Sequence, residues 1–280
     1  MQILGIVASK RRLGNSDVLV REALEQAREA GAETEILYLD EYDLKGCRGC
    51  LACAYKGRCS LEDDMAVILE KLWLADGLVF AAPTYIFSPV AVVKALTDRA
   101  LMLSPRLKDL EKRRRKAVTI SVAGNPRWNP LGLEFLNQMV LAYGFSVLRG
   151  LEAYAPGPGE VLLQPELIAQ VREAASFLVE SLTNPQLSEP AAEPNQCPVC
   201  RGRVFRITST GDILCPICLT RGRITGKGSN LSLEFEPGEE HFWTPQHRQE
   251  HLVNWILETR KRFRENLKAV KEAQKKYKEE

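Results

Sequence analysis

The chain has 280 residues, is 45% hydrophobic, and sets 38 Lys and Arg against 36 Asp and Glu for a net charge of +2. It is long enough for one large domain or two smaller ones and can bury a core without disulfides, while its balanced charge excludes a global attraction to nucleic acid or an anionic membrane. The N-terminal apolar run is too short and wrongly flanked for a signal peptide and no apolar run predicts a membrane span, so a cytoplasmic protein is expected, with clustered cysteines acting as metal ligands.

Residues 2–8 are mostly apolar and predict a buried parallel strand. A polar turn from Ser9 to Ser16 follows. Val18, Leu19, Ala23, Leu24 and Ala27 then recur at helical spacing over 16–30, up to Gly31. A loop and helix start are thereby placed at the carboxyl end of a strand, where open α/β sheets bind ligands and where main-chain amides suit a phosphate. Arg11 adds a charged donor. Neither G-x-G-x-x-G nor a Walker loop is present. The alternative is a polar turn before a helix capped by Asn15 or Ser16.

Residues 34–39 predict the second strand. Cys47, Cys50, Cys53 and Cys59 come next, spaced C-x2-C-x2-C-x5-C. Such spacing can wrap thiolates onto an iron–sulfur core, with Gly49 and Gly57 freeing the backbone; four cysteines also suit a structural zinc. A helix opening on three acids is expected at 62–75, a strand at 77–82 and a helix at 89–103. The five cations Lys112 to Lys116 suggest a solvated loop or a landing site for an acidic ferredoxin rather than a nucleic-acid patch. Strand 116–123, helix 131–143, strand 145–150 and helix 165–182 complete the series. The alternation predicts an α/β flavodoxin-like fold, doubly wound around a five-stranded parallel sheet, over 1–182.

Residues 183–196 carry three prolines and predict a linker. Cys197, Cys200, Cys215 and Cys218 form paired knuckles, C-x2-C-x14-C-x2-C, expected to build a zinc ribbon over 197–240. Rubredoxin-like iron shares this tetrahedral geometry, but few aromatics stand beside the knuckles. Arg201, Arg203, Arg206, Arg221 and Arg223 suggest a solvated basic face. Residues 222–237 suggest a hairpin. Thr244-Pro245 predicts the start of a C-terminal helix over 245–280. Its stripe of Leu252, Trp255, Ile256, Thr259, Phe263, Leu267 and Val270 suggests core or dimer contact, and its last ten residues are expected to fray. His247 and His251 share a helix face and are expected to be a surface pair.

Three of these stretches carry a resemblance. Ser9-x-Arg11-x-x-x-Asn15-Ser16 resembles the FMN phosphate loop of NADPH-dependent FMN reductase-like flavoproteins. Pro83-Thr84-Tyr85-Ile86-Phe87-Ser88 is similar to that family's P-x-Y loop, with Lys94 and Asp98-Arg99 on the following helix. The compact first cysteine set, followed by Asp63-Asp64-Met65, resembles the family's iron–sulfur flavoprotein branch. The resemblance covers about residues 1–180.

It implies that FMN is held by Ser9, Arg11, Leu13, Gly14, Asn15 and Ser16, by Pro83, Thr84, Tyr85, Ile86 and Phe87, and by Gly124. It also implies a [4Fe-4S] cluster on Cys47, Cys50, Cys53 and Cys59, and assigns no acid–base catalyst. Phe87 stands where the family often has Gly, and Ala123-Gly124 where it often has Gly-Gly. The function implied is electron relay between the cluster and FMN, reducing a small acceptor with ferredoxin or NAD(P)H as donor, in a homodimer or homotetramer. The alternative is a non-enzymatic module that senses redox state or uses its ribbon to bind protein or nucleic acid.

Overall fold

The structure is a computed structural model describing residues 1–110, 112–226, 231–235 and 241–277. The strands β1 (Gln2–Val7), β2 (Glu33–Tyr38), β3 (Gly77–Tyr85), β5 (Lys116–Ala123) and β6 (Ser146–Tyr154) form a parallel sheet in the order β2-β1-β3-β5-β6. The two-residue β4 (Ser88–Pro89) folds back antiparallel on the end of β3. Between strands lie α1 (Asn15–Glu29), α2 (Ala52–Lys56), α3 (Met65–Leu74), α4 (Ala91–Asp98), α5 (Leu107–Leu110) and α6 (Gly132–Ala142), and α7 (Pro165–Thr183) follows β6. This is the doubly wound order expected, with its ligand crevice at the carboxyl ends of the strands.

The sheet is covered on both sides, which explains the unbroken apolar runs. Ile3 and Val7 pack with α1 and α7, while Leu4 and Ile6 pack with α3 and α6. All four are fully buried, each worth about 1.5–3 kcal/mol in transfer from water.

The strand expected at 145–150 runs on to Tyr154, and three other boundaries differ from expectation for a hydrogen-bonding reason. The helix expected at 62–75 starts only at Met65, because Asp63 and Asp64 turn away to accept the amides of Lys45 and Asp43. The helix expected at 89–103 stops at Asp98 and resumes as a 3-10 stretch, Ala100–Arg106. Arg99 sits at the break and sends its guanidinium inward. The strand expected to end at 82 continues to Tyr85 because it pairs with β4.

Beyond α7, the strands β7 (Arg206–Ile207), β8 (Asp212–Leu214), β9 (Arg221–Thr225) and β10 (Ser232–Phe235) make an antiparallel sheet in the order β10-β9-β8-β7. Parts of the expected ribbon and hairpin, 227–230 and 236–240, lie outside the described residues, as do the last three of the tail. The four C-terminal cysteines join the same apolar cluster as Leu136, Met139 and Val140 of α6. Asn137 Nδ2 donates to Cys200 O at 2.8 Å and Arg203 N to Glu134 Oε1 at 3.1 Å. The segment is thereby seated on the α/β core.

The tail runs through α8 (Pro245–Glu250), a π-helical stretch His251–Leu257 and α9 (Glu258–Ala273). Thr244 caps it by accepting from His247 N. The apolar stripe is not core: Ile256 is its one buried member, and Trp255 and Phe263 are exposed. The Tyr55 hydroxyl donates to Ile256 O, and Arg260, in the first turn of α9, stacks on the Tyr55 ring at 4.5 Å, while most side chains further along α9 are exposed. Among the described residues no helix is long and apolar enough to cross a membrane.

Candidate functional site

At the carboxyl ends of β1, β3 and β5 lies an open crevice of about 110 Å³. Its walls include Ser9, Arg11, Gly14, Asn15 and Ser16 from the first loop, Pro83, Thr84 and Tyr85 from the end of β3, and Gly124. Nine of the twelve predicted crevice residues are thus brought together. Leu13, Ile86 and Phe87 are not part of this wall, and all three are exposed.

The α1 start is built to present bare amides. Gly14 is the N-cap, and no side chain caps the turn. Neither Asn15 nor Ser16 plays the capping role that a plain polar turn would require. Asn15 instead donates to the carbonyls of Ala155 and Gly157, both at 3.0 Å. The unpaired N–H groups and the helix dipole leave a positive end facing the crevice. Asp17 shapes the loop from behind, accepting from Leu13 N at 2.7 Å and from the Tyr38 hydroxyl at 2.9 Å. Burial opposes its ionisation, but these bonds and Arg21 hold its pKa below the usual carboxylate range. Leu13 is thereby fixed at φ +57°.

The segment from Tyr85 to Ser88 is a two-residue hairpin loop in which Ile86 and Phe87 both have positive φ, +49° and +69°. Such a loop suits Asn-Gly, because L side chains crowd the backbone there. This chain keeps two bulky side chains there and bears the strain. Replacing the pair (Ile86→Asn with Phe87→Gly) is expected to raise stability by about 1–3 kcal/mol. The check is a higher urea midpoint at unchanged slope; an unchanged or lower midpoint contradicts the strain.

Cys47 and Cys50 are exposed, and Cys53 and Cys59 half-buried, on the loop between β2 and α3. Positive φ at Gly49, Leu51 and Gly57 lets the loop curl. Hydrogen bonds already point at three of the sulfurs: Gly49 N to Cys47 Sγ at 3.4 Å, Ser60 Oγ beside Cys50 Sγ at 3.2 Å, and Leu61 N to Cys59 Sγ at 3.5 Å. Arg99 Nη2 also donates to Cys59 Sγ, at 3.3 Å. This guanidinium pairs with Asp63, and both side chains are 1% exposed. It also donates to Lys45 O, so one arginine holds the start and end of the loop. Its Nε is buried without a partner among the described residues. Donors beside three of the four sulfurs suit anionic thiolates, but among the described residues these four cysteines are not drawn into one ligand group as the second set is.

The second set is different. Cys197, Cys200, Cys215 and Cys218 are fully buried, and their sulfurs lie within 4.8 Å of one another. Cys197 and Cys218 are 3.4 Å apart, Cys200 and Cys215 3.3 Å. A tetrahedral ion with metal–sulfur bonds of about 2.3 Å needs sulfurs about 3.8 Å apart, so the set fits a single closed ion site. Among the described residues it is the one such group of Cys, His, Asp or Glu. His247 and His251 belong to no such group: His247 Nδ1 lies 3.3 Å from Thr244 Oγ1, and His251 packs on Phe242. Aromatics do stand near the knuckles after all. Phe205 and Trp243 pack on the cluster, and Trp243 Nε1 donates to Ile217 O. Trp243 arrives from 25 residues beyond Cys218, out of reach of local pattern.

The basic run before β5 is solvated only in part: Lys112 and Arg114 are exposed, but its other cations turn inward. Arg115 and Lys116 are buried, and Arg113 and Arg115 donate to carbonyls at the end of α3. Sequence reasoning also missed Asn129, which accepts from Thr84 and Ser121 and thereby fixes Thr84 at the crevice. It missed the far wall, Ala155, Pro156 and Pro158. A signal for that wall was present in the Pro-Gly-Pro-Gly run after β6.

Residues 1–154 match the family described as NADPH-dependent FMN reductase. An iron-sulfur flavoprotein of Methanosarcina thermophila is 36% identical over 125 residues, 45% of this chain and 64% of that protein. An iron-sulfur flavoprotein of Methanocaldococcus jannaschii is 41% identical over 100 residues, 36% of this chain and 52% of that protein. The chain therefore spans between half and two thirds of the length of these relatives. A solved structure of a flavone reductase superposes with a TM-score of 0.79 at 22% identity, covering 99% of this chain and 97% of that one. Its likeness concerns the fold, and it takes in the C-terminal cysteine segment and tail as well as the α/β part.

Proposed function

Since the chain belongs to the NADPH-dependent FMN reductase family, we propose that it is an FMN-dependent oxidoreductase of the iron–sulfur flavoprotein kind. The observation that carries this reading is the crevice, where a bare helix N-terminus faces the predicted P-x-Y loop. Ser9, Arg11, Asn15 and Ser16 would surround the FMN phosphate, with Leu13 and Gly14 shaping the turn. At about 110 Å³ the crevice takes the phosphate and sugar end. The flavin ring would lie outside it, against Pro83 to Phe87 and Gly124.

When bound, FMN supplies two-electron chemistry and an iron–sulfur cluster one-electron chemistry. The residues of this chain position them. Arg12 bonds Asp40 at 3.1 Å and also Glu41, tying the phosphate loop to the segment that opens the cysteine loop. Cys47, Cys50, Cys53 and Cys59 would hold a [4Fe-4S] cluster, the centre from which electrons are relayed to or from FMN. Ferredoxin or NAD(P)H is the proposed donor and a small molecule the acceptor. Cys197, Cys200, Cys215 and Cys218 would hold zinc, with iron as the other ion the geometry admits. The proposed division is an FMN domain to 182, a linker, the ribbon and the tail. The exposed Trp255 and Phe263 support a homodimer or homotetramer.

The reading is tested by titrating FMN and riboflavin into apoprotein. Arg11→Glu is expected to weaken FMN by about tenfold or more, equivalent to about 1.4 kcal/mol, and to leave riboflavin, which lacks the phosphate, unchanged. Equal losses for both ligands, or no FMN binding by the parent protein, contradict it.

A further inference from the structure

At the opposite end of the sheet, a second cavity of about 410 Å³ opens between the amino ends of β5 and β6 and the C-terminal segment. Eight-residue β5 separates it from the flavin crevice by roughly 23 Å at about 3.3 Å per residue. It is of a size common for small-molecule sites. Leu141, Phe145 and Trp243 give it apolar walls, and Arg113, Arg114, Arg115, Lys116 and Arg248 surround them with cations.

The charges do not balance. Arg113 pairs with Asp76 at 3.0 Å and Lys116 with Glu189 at 2.9 Å. Among the described residues no carboxylate pairs with Arg114, Arg115 or Arg248. Arg115 is 3% exposed; it donates to the carbonyls of Leu72, Ala75 and Tyr143 and lies over the Phe145 ring at 3.8 Å. Arg248, half-buried, meets those of Leu141, Ala142 and Trp243. These are mostly the ends of α3 and α6, whose dipoles offer about half a negative charge each. That compensates about one of three cations. Burial, with Arg113 beside it, pushes Arg115 down to about 9, and burial pushes Arg248 down to about 10. Each guanidinium has five N–H donors and spends three in these bonds.

We propose that this cavity is a binding site for a flat organic anion, an aromatic carboxylate being the type, with its ring beside the half-buried Trp243 and its charge on the Arg114, Arg115 and Arg248 side. The site does not depend on the flavin reading. Because Arg248 and Trp243 come from the C-terminal segment and Arg115 from the α/β core, the ligand fastens one to the other.

The test is calorimetric titration of naphthoate and of the neutral naphthamide into the full chain with FMN present in excess. Naphthoate is expected to bind about tenfold more tightly than naphthamide. Its affinity is expected to fall about threefold in Arg114→Gln, an exposed position that does not threaten folding, and further in Arg248→Gln. Naphthamide binding stays unchanged in both. Naphthoate binding no tighter than naphthamide, or indifferent to Arg114→Gln, overturns the site.

Discussion

Stripping the metal from the Cys197, Cys200, Cys215 and Cys218 site is expected to unfold the segment from Cys197 to Phe235 while the parallel sheet stays folded. The strands β7 to β10 are two to five residues long, too short to hold a sheet by pairing alone. Ile213, Ile217 and the four cysteines are the main buried side chains of that segment. Four thiols packed this closely gain most from a shared cation. Structural zinc binds such sites with an apparent free energy of about 10–16 kcal/mol, which is also folding free energy. Hydrogen exchange after chelation checks this. Amides of Cys197, Cys215 and Leu219, which bond to carbonyls within the knuckles, should lose protection, while those of β1, β3 and β5 keep theirs. Unchanged protection in metal-free protein contradicts a structural metal. The α6 surface under the cysteines would also be uncovered, so a lower Tm for the whole chain follows.

Arg99→Leu is expected to cost about 3–5 kcal/mol, the penalty of leaving Asp63 buried without its cation. The variant also removes the bonds to Lys45 O and Cys59 Sγ, so the cysteine loop loosens and iron retention falls. Changing both partners (Arg99→Met with Asp63→Leu) should cost less stability than Arg99→Leu alone, because no lone charge remains. Iron retention should stay impaired in the double variant, which separates the stability role from the loop-holding role. Urea melts and iron content read the two effects. A double variant no more stable than Arg99→Leu contradicts the ion-pair argument.

The same pair gives a pH dependence. Burial works against the Asp63 charge, but Arg99 and the amides of Lys45 and Met65 hold its pKa below the ordinary value. A lowered folded pKa means the stabilisation is complete above the unfolded value, about 3.9, and is lost as pH falls through the folded one. The stability difference between the parent and Asp63→Asn should therefore shrink below about pH 4 and be flat above it.

Much of the fold was readable because the sheet is buried on both faces. Runs such as 3–7 and 116–123 are mostly apolar and bounded by turns. The crevice was readable because local chain supplies two of its walls. What escaped was set by distant partners. Arg99 broke its helix for a carboxylate 36 positions away. Arg113 and Arg115 before β5 were drawn inward by the ends of α3 and α6. Trp243 closed over the knuckles from 25 residues beyond Cys218. Charge in a sequence reads as exposed by default, and each of these is charge or aromatic surface buried by a contact that periodicity does not encode.

The most direct test of the account is flavin, iron, acid-labile sulfide and zinc per chain after anaerobic purification. The account predicts about one FMN, four iron, four sulfide and one further ion, with iron and sulfide lost in Cys53→Ser and the further ion lost in Cys215→Ser. Two zinc ions with no sulfide and no flavin would contradict it, leaving both cysteine sets structural.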